Sequence, residues 1–246
     1  MKTHTRIMLF VFLVVAIFGC IAFTFKNRAE DDRFITKVVD PKTEELKLYW
    51  KNDKNEIIKS LQSLATYVES KNKTLVFAMN GGMYMEDNTP LGLYIEDGKT
   101  IRKLNTGSGR GNFHLKPNGV FYITDDKIPK VCITENFITD KKIKYATQSG
   151  PMLVVDGKIH GAFTKGSDNL NIRNGVGILP NNKILFAMSK GMVNFYDFAD
   201  FFLKQGCKNA LYLDGFVSRT YLPEKNFIQK DGNFGVIIGV TKANKN

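Results

Sequence analysis

The sequence predicts a single α+β domain over residues 34–241, with a mostly antiparallel, curved β-sheet and two principal helices, behind an N-terminal membrane segment. Three observations predict it. Most apolar residues fall in short runs bounded by Gly, Asn, Asp and Pro, which is the pattern of strands joined by tight turns. Only residues 57–70 and 194–205 space their apolar side chains by threes and fours as a helix does. The chain has 246 residues, 43% of them hydrophobic, enough for one sizeable core once the N-terminus is set aside.

Lys2 and Arg6 precede an apolar run over residues 7–25, interrupted only by Gly19 and Thr24. Residues 1–25 therefore read as a signal anchor that spans a membrane or as a cleaved signal peptide, and the charged residues 26–33 as a linker. Ile17-Phe18-Gly19-Cys20 resembles a lipoprotein cleavage box. Phe18 is bulky for that site, however, and the apolar run continues past Cys20, which favours an anchor or ordinary signal peptide. Basic residues ahead of such a run tend to stay in the cytoplasm, so the domain is expected outside it, membrane-anchored or secreted.

The formal net charge of +11 suits anionic partners such as phosphate-containing envelope polymers, whose approach it would steer. No basic run with interleaved aromatics appears, so nucleic acid is not an expected partner. Cys and His show no metal-ligand spacing, and neither a metal nor a cofactor is expected. Cys132 and Cys207 are the cysteines beyond Cys20 and are open to one disulfide in an oxidising compartment.

In chain order, residues 34–39 and 45–50 alternate as two strands around Pro41. Ile57, Ile58, Leu61, Leu64, Ala65 and Val68 mark the first helix. Residues 74–79 form a continuous apolar run, read as a buried strand, and Asn80-Gly81-Gly82 closes it. Adjacent glycines there permit positive φ and close approach of a ligand, while Asn80 offers an amide that donates and accepts. A hairpin is expected at Asp97-Gly98, then a glycine-rich loop, residues 105–112, whose N–H groups and Arg110 suit either a phosphate cradle or a flexible connection. Strands follow at 119–123, 128–133, 144–147, 152–155 and 158–160, with a hairpin at 171–188. Arg173 inside that strand pattern is costly without an anion, which makes it a candidate phosphate or carboxylate clamp, with a surface arginine on the solvent face as the alternative. Asn194 caps the second helix and Gly206 stops it.

That helix feeds residues 210–213, a short apolar strand ending in Asp214-Gly215, with Ser218 and Arg219 close behind. Asp-Gly is also a common turn dipeptide. Asp97-Gly98 and Asp156-Gly157 sit between alternating runs and fit hairpins, whereas Asp214 follows a strand delivered by a helix. Its placement puts a carboxylate at a strand end.

The ordered set Asn80-Gly81-Gly82-x-Tyr84, Pro90-x-Gly92, Asn112-Phe113, Lys116-Pro117-Asn118-Gly119-Val120, Ser149-Gly150-Pro151, Arg173-x-x-Val176-Gly177 and Asn209-Ala210-Leu211-x-Leu213-Asp214-Gly215 resembles the phosphodiester glycosidase family. The resemblance implies hydrolysis of a sugar-1-phosphodiester in the bacterial envelope, with Asp214, Asn80 and Arg173 catalytic. It implies that Gly81, Gly82, Tyr84, Ser149, Gly150, Gly215, Phe216 and Ser218 bind substrate. Family members carry a second glycine after Asp-Gly, where this chain has Phe216, so Phe216 is expected to reshape the pocket or stack on a sugar ring. Glu86, Asp87 and Asp168 are candidates for a second carboxylate. Alternative readings are a non-catalytic binder of anionic envelope glycopolymers and a phosphodiesterase or transferase acting at phosphorus.

Overall fold

The computed structural model describes residues 31–215 and 217–244. The expected membrane segment at residues 7–25 lies outside the described residues, and no helix among those described is long and apolar enough to cross a membrane. From Arg33 onward the chain forms one unit.

The strands are β1 (Phe34–Val39), β2 (Glu45–Tyr49), β3 (Lys73–Asn80), β4 (Tyr94–Glu96), β5 (Lys99–Arg102), β6 (Gly119–Thr124), β7 (Pro129–Ile133), β8 (Ile143–Ser149) and β9 (Met152–Val155). They continue as β10 (Lys158–Ile159), β11 (Asn174–Ile178), β12 (Ile184–Ser189), β13 (Ala210–Tyr212), β14 (Thr220–Leu222), β15 (Phe227–Ile228) and β16 (Ile237–Ala243). The helices are α1 (Leu61–Glu69) and α2 (Phe195–Lys204). Instead of one curved sheet they build three, in the orders β1-β12-β11-β13-β9-β10, β15-β14-β3-β16-β2 and β5-β4-β8-β6-β7. The pairs within them are antiparallel.

The reason for three sheets is written in the strand faces. Phe77 and Met79 of β3, Phe121 and Ile123 of β6, and Ile184, Phe186 and Met188 of β12 point into one shared core. Their neighbours along the same strands point outward into separate layers. Ala78 faces α1, Leu185 and Ala187 face α2, and Val120 faces the segment carrying Phe137. A strand covered on both faces has no polar side, which is why 74–79 and 184–188 read as continuous apolar runs. Phe186 ties the three sheets together, its ring 5.2 Å from that of Phe77 and 5.9 Å from that of Phe121.

α1 begins at Leu61, later than the apolar spacing predicted. Lys59 has φ of +65°, which a helix cannot continue through, and the Ser60 side chain caps the helix by accepting the Ser63 N–H. Ile57 instead bridges Lys51. α2 matches the prediction, with Asn194 accepting from the Asp197 N–H and Gly206 at φ +84° just past its end. No disulfide joins Cys132 and Cys207. The unforeseen strands β14 and β15 are too short to show an alternation.

Phe186 is fully buried and makes the ring contacts that join the sheets. Phe186→Ala is expected to cost about 3–5 kcal/mol in urea unfolding, the loss typical of a large buried aromatic; a cost near zero would show that the sheets do not share a core there.

Candidate active site

The three sheets converge at the end of β13. Asn80 is the last residue of β3 and Asn174 the first of β11, and both are buried. The Asn174 amide N–H groups donate to the Asn80 carbonyl (3.0 Å) and to Asn80 Oδ1 (2.9 Å). With its own Oδ1, Asn174 accepts the Asp214 N–H at 2.9 Å. Asn80 Nδ2 donates to the Asp214 carbonyl at 2.9 Å, and Asn80 Oδ1 accepts the Arg219 N–H at 3.0 Å. From the third sheet, the buried Ser149 hydroxyl at the end of β8 donates to the Leu213 carbonyl. One residue from each sheet thus holds the two peptide units that present Asp214.

The neighbours of Asp214 tighten this frame. Ser218 Oγ donates to the Asp214 carbonyl at 3.1 Å and its N–H to the Gly215 carbonyl at 3.0 Å, closing a turn. A Cβ on Gly215 would stand 1.9 Å from the Tyr212 phenol oxygen and 2.7 Å from the Ile172 carbonyl. This glycine is therefore required by close approach and not by positive φ. The contrast with the hairpin turns is direct: Asp97 and Gly98 have φ of +47° and +78°, Asp156 and Gly157 +48° and +78°, as mirror-image turns demand. Asp214-Gly215 belongs to a different structure, as its sequence context predicts.

The carboxyl of Asp214 is half-buried at the surface, and the surrounding protein excludes enough water to push its pKa up from the ordinary 3.8 to about 7. Burial is the cause, and no charged neighbour adds to it. Among the described residues no side chain hydrogen-bonds this carboxyl. The phenols of Tyr84 and Tyr212 lie within its electrostatic reach. Burial and then the charge of Asp214 raise Tyr84; burial raises Tyr212 to about 12, with Asp214 a smaller contributor and the Arg173 charge opposing it.

Arg173 is 1% exposed. Its Nε donates to the Val193 carbonyl at 2.8 Å and its Nη2 to the Asn169 carbonyl at 2.7 Å. The guanidinium lies 3.6 Å from the centre of the Phe195 ring and 5.6 Å from that of Tyr212. No carboxylate pairs with it among the described residues. A buried cation whose neighbours are carbonyls and ring faces keeps an uncompensated charge beside the Asp214 turn.

Other expected site residues fall as follows. Gly81 and Gly82 lack positive φ, contrary to the expectation; a Cβ would meet Ile238 at 2.8 Å from Gly81 and Thr147 Oγ1 at 2.5 Å from Gly82, so packing excludes a side chain. A Cβ on Gly150 would fall 2.6 Å from that of Asn118. Phe216 lies outside the described residues. Asp87 is exposed and accepts the Thr89 N–H in its own turn at 2.9 Å, and Glu86 and Asp168 are exposed as well. None of these three joins Asp214. The glycine-rich loop is fastened at its base, where Gln148 Oε1 accepts the Asn105 N–H at 2.9 Å and Gln148 Nε2 donates to the Asn105 carbonyl at 2.7 Å, and Arg110 is exposed.

Asn174 escaped the sequence reading. Its signal was present: Asn80-Gly81, Asn174-Gly175 and Asp214-Gly215 are three polar-glycine pairs at strand ends, and all three meet here. Tyr212 and Phe195 were hidden as ordinary core aromatics.

The antiparallel three-sheet fold thus converges on one desolvated carboxyl, Asp214, at a strand end. The phosphodiester glycosidase family signature matches residues 73–241, and the chain belongs to that family. The uncharacterized protein YigE of Escherichia coli (strain K12) is 38% identical over 216 residues, covering 86% of this chain and 84% of its own. The catalytic domain of zebrafish N-acetylglucosamine-1-phosphodiester alpha-N-acetylglucosaminidase, auto-inhibited by its pro-peptide, shares the fold with a TM-score of 0.58 at 14% identity, covering 87% of this chain and 84% of that one. A Burkholderia pseudomallei K96243 protein whose name describes it as exported matches at a TM-score of 0.55 and 10% identity, over 84% of this chain and 73% of that one.

The raised pKa makes Asp214 a source of pH-dependent instability. Between pH 4 and 7 the folded carboxyl holds a proton that the unfolded one releases, so stability from this group falls as pH rises, by up to about 1.4 kcal/mol per pH unit. Asp214→Asn is expected to gain stability over the wild type at pH 8 but not at pH 4 in urea unfolding. An equal difference at both pH values would show that the carboxyl is not desolvated.

Proposed function

We propose that the protein is a glycoside hydrolase acting outside the cytoplasm on a sugar-1-phosphodiester of the bacterial envelope, tethered or exported through residues 7–25. The observation that carries this reading is Asp214, a single carboxyl brought to about pKa 7 by burial and held at the meeting point of three sheets. Near neutral pH such a group is present in both protonation states, which suits proton transfer. Family membership and the zebrafish enzyme's fold support the same chemistry. The exported name of the Burkholderia relative and the basic surface support an envelope setting with an anionic substrate.

In this reading water attacks the anomeric carbon. Asp214 as carboxylate takes the water proton and stabilises the positive charge that develops at the sugar. The bond between the anomeric carbon and the phosphate oxygen breaks, and its electrons leave on the phosphate. The charge of Arg173 favours that anion. Phosphate monoesters are good leaving groups, so one carboxyl is sufficient, and neither Glu86, Asp87 nor Asp168 acts on the Asp214 carboxyl. Asn80 and Asn174 position Asp214 through its peptide groups, and Tyr84 lines the site beside it.

The test is hydrolysis of methyl N-acetylglucosamine-1-phosphodiester in heavy-oxygen water. The label is expected in the sugar, and Asp214→Asn is expected to lower turnover about 10²- to 10⁴-fold with the fold intact. Label in the phosphate would reassign the chemistry to phosphorus, and unchanged turnover in Asp214→Asn would remove it from the mechanism.

A further inference from the structure

Two strongly exposed apolar side chains stand on loops beside the Asp214 turn. Met192 is 71% exposed and Leu170 47%. We propose that this rim is the face the domain turns to a lipid bilayer, with Met192 and Leu170 inserted among the headgroups. The proposal rests on residues 7–25 being a retained membrane anchor.

Single exposed apolar residues are ordinary on a protein surface. These two differ in how they are held. Leu170 precedes Asn171 and Met192 precedes Val193, and the backbones of Asn171 and Val193 exchange hydrogen bonds of 3.2 and 2.9 Å. The Arg173 guanidinium ties the same two loops from inside, donating to the Asn169 and Val193 carbonyls. The Ile172 carbonyl, two residues past Leu170, lies against Gly215, where it would stand 2.7 Å from an added Cβ. One clamped pair of loops therefore presents the apolar side chains outward and walls the Asp214 turn inward.

The point where the chain joins the domain shows which end this is. Lys190, two residues before Met192, donates its N–H to the Arg33 carbonyl at 2.8 Å, and Phe34 opens β1 opposite Ser189. Ser189 donates its N–H to the Arg173 carbonyl at 2.8 Å and accepts the Arg173 N–H on Oγ at 2.9 Å. The preceding chain is thus attached at the rim itself. Residues 26–33 reach at most roughly 30 Å when fully extended, and a compact domain of this size is roughly 40 Å across. A linker shorter than the domain keeps the Phe34 end the nearer one to a membrane that holds residues 7–25.

Charge determines how the face makes contact. The basic residues Arg33, Lys165 and Lys190 are matched by Asp168 and by Asp31 and Asp32 just ahead in the chain, so the rim has no net charge to draw it to anionic lipid. Contact comes instead from burying the apolar pair in the interface. The Asp214 site is then held at the bilayer surface, where a membrane-borne substrate reaches it.

The test is fluorescence of the full chain reconstituted in phosphatidylcholine vesicles, with quenching by lipids brominated in their acyl chains. Met192→Trp, Leu170→Trp and Ile138→Trp each add one indole to the single native Trp50. Ile138 is 81% exposed and precedes the Ile143 end of β8, the end away from Ser149, so it serves as the control. Brominated lipid is expected to quench about half or more of the added fluorescence at positions 192 and 170 and almost none at 138. The quenching is expected to be equal at about 50 and 500 mM salt, because screening weakens charge attraction and not apolar burial. Quenching at neither 192 nor 170, equal quenching at 138, loss of quenching at high salt, or a chain that does not sediment with the vesicles would each overturn the proposal. The readout needs no turnover, so its failure is distinct from failure of the catalytic reading of Asp214.

Discussion

Everything at the site depends on two buried amides that hydrogen-bond each other. Asn80 and Asn174 come from different sheets, yet each spends its amide on the other or on the backbone around Asp214. Buried amides left unpaired cost about 1–3 kcal/mol each, so the pair fixes the relative position of the two strand ends that carry it. Ser149 brings in the third sheet through the Leu213 carbonyl. The consequence is a carboxyl whose peptide groups are held on both sides while its own oxygens accept no side-chain hydrogen bond among the described residues.

The same convergence explains the electrostatics. Strands with two covered faces bring apolar mass up to the site, and that mass desolvates Asp214, with no second carboxylate acting on it among the described residues. It also buries Arg173, whose charge is tolerated because carbonyls and the faces of Phe195 and Tyr212 surround it. A fold that packs three sheets around Phe186 therefore produces, at one end, a carboxyl with a pKa of about 7 and a buried cation with no ion pair among the described residues.

Much of this was legible in the sequence. The strands that carry the site showed as apolar runs, α2 showed through its cap and its stop, and Asp214 was separated from the hairpin Asp-Gly turns by what precedes it. Arg173 was marked by the cost of a guanidinium in an apolar strand. The division into three sheets was not legible, because a strand buried on both faces loses the alternation that would tell which neighbours each face meets. The roles of the glycines are hidden for a related reason: Gly81 and Gly82 answer to Ile238 and Thr147, far away in the chain, and not to local φ. Asn174 was overlooked because its significance lies in a partner 94 residues away.

The two amides act as one device to present Asp214. A double-mutant cycle with Asn80→Ala, Asn174→Ala and the double variant, followed in both urea unfolding and kcat/KM for the sugar phosphodiester, tests it most directly. The double variant is predicted to lose clearly less than the sum of the single losses, by about 1 kcal/mol or more on both scales. Strictly additive losses, or full turnover in either single variant, would show that the two amides act independently or do not present Asp214.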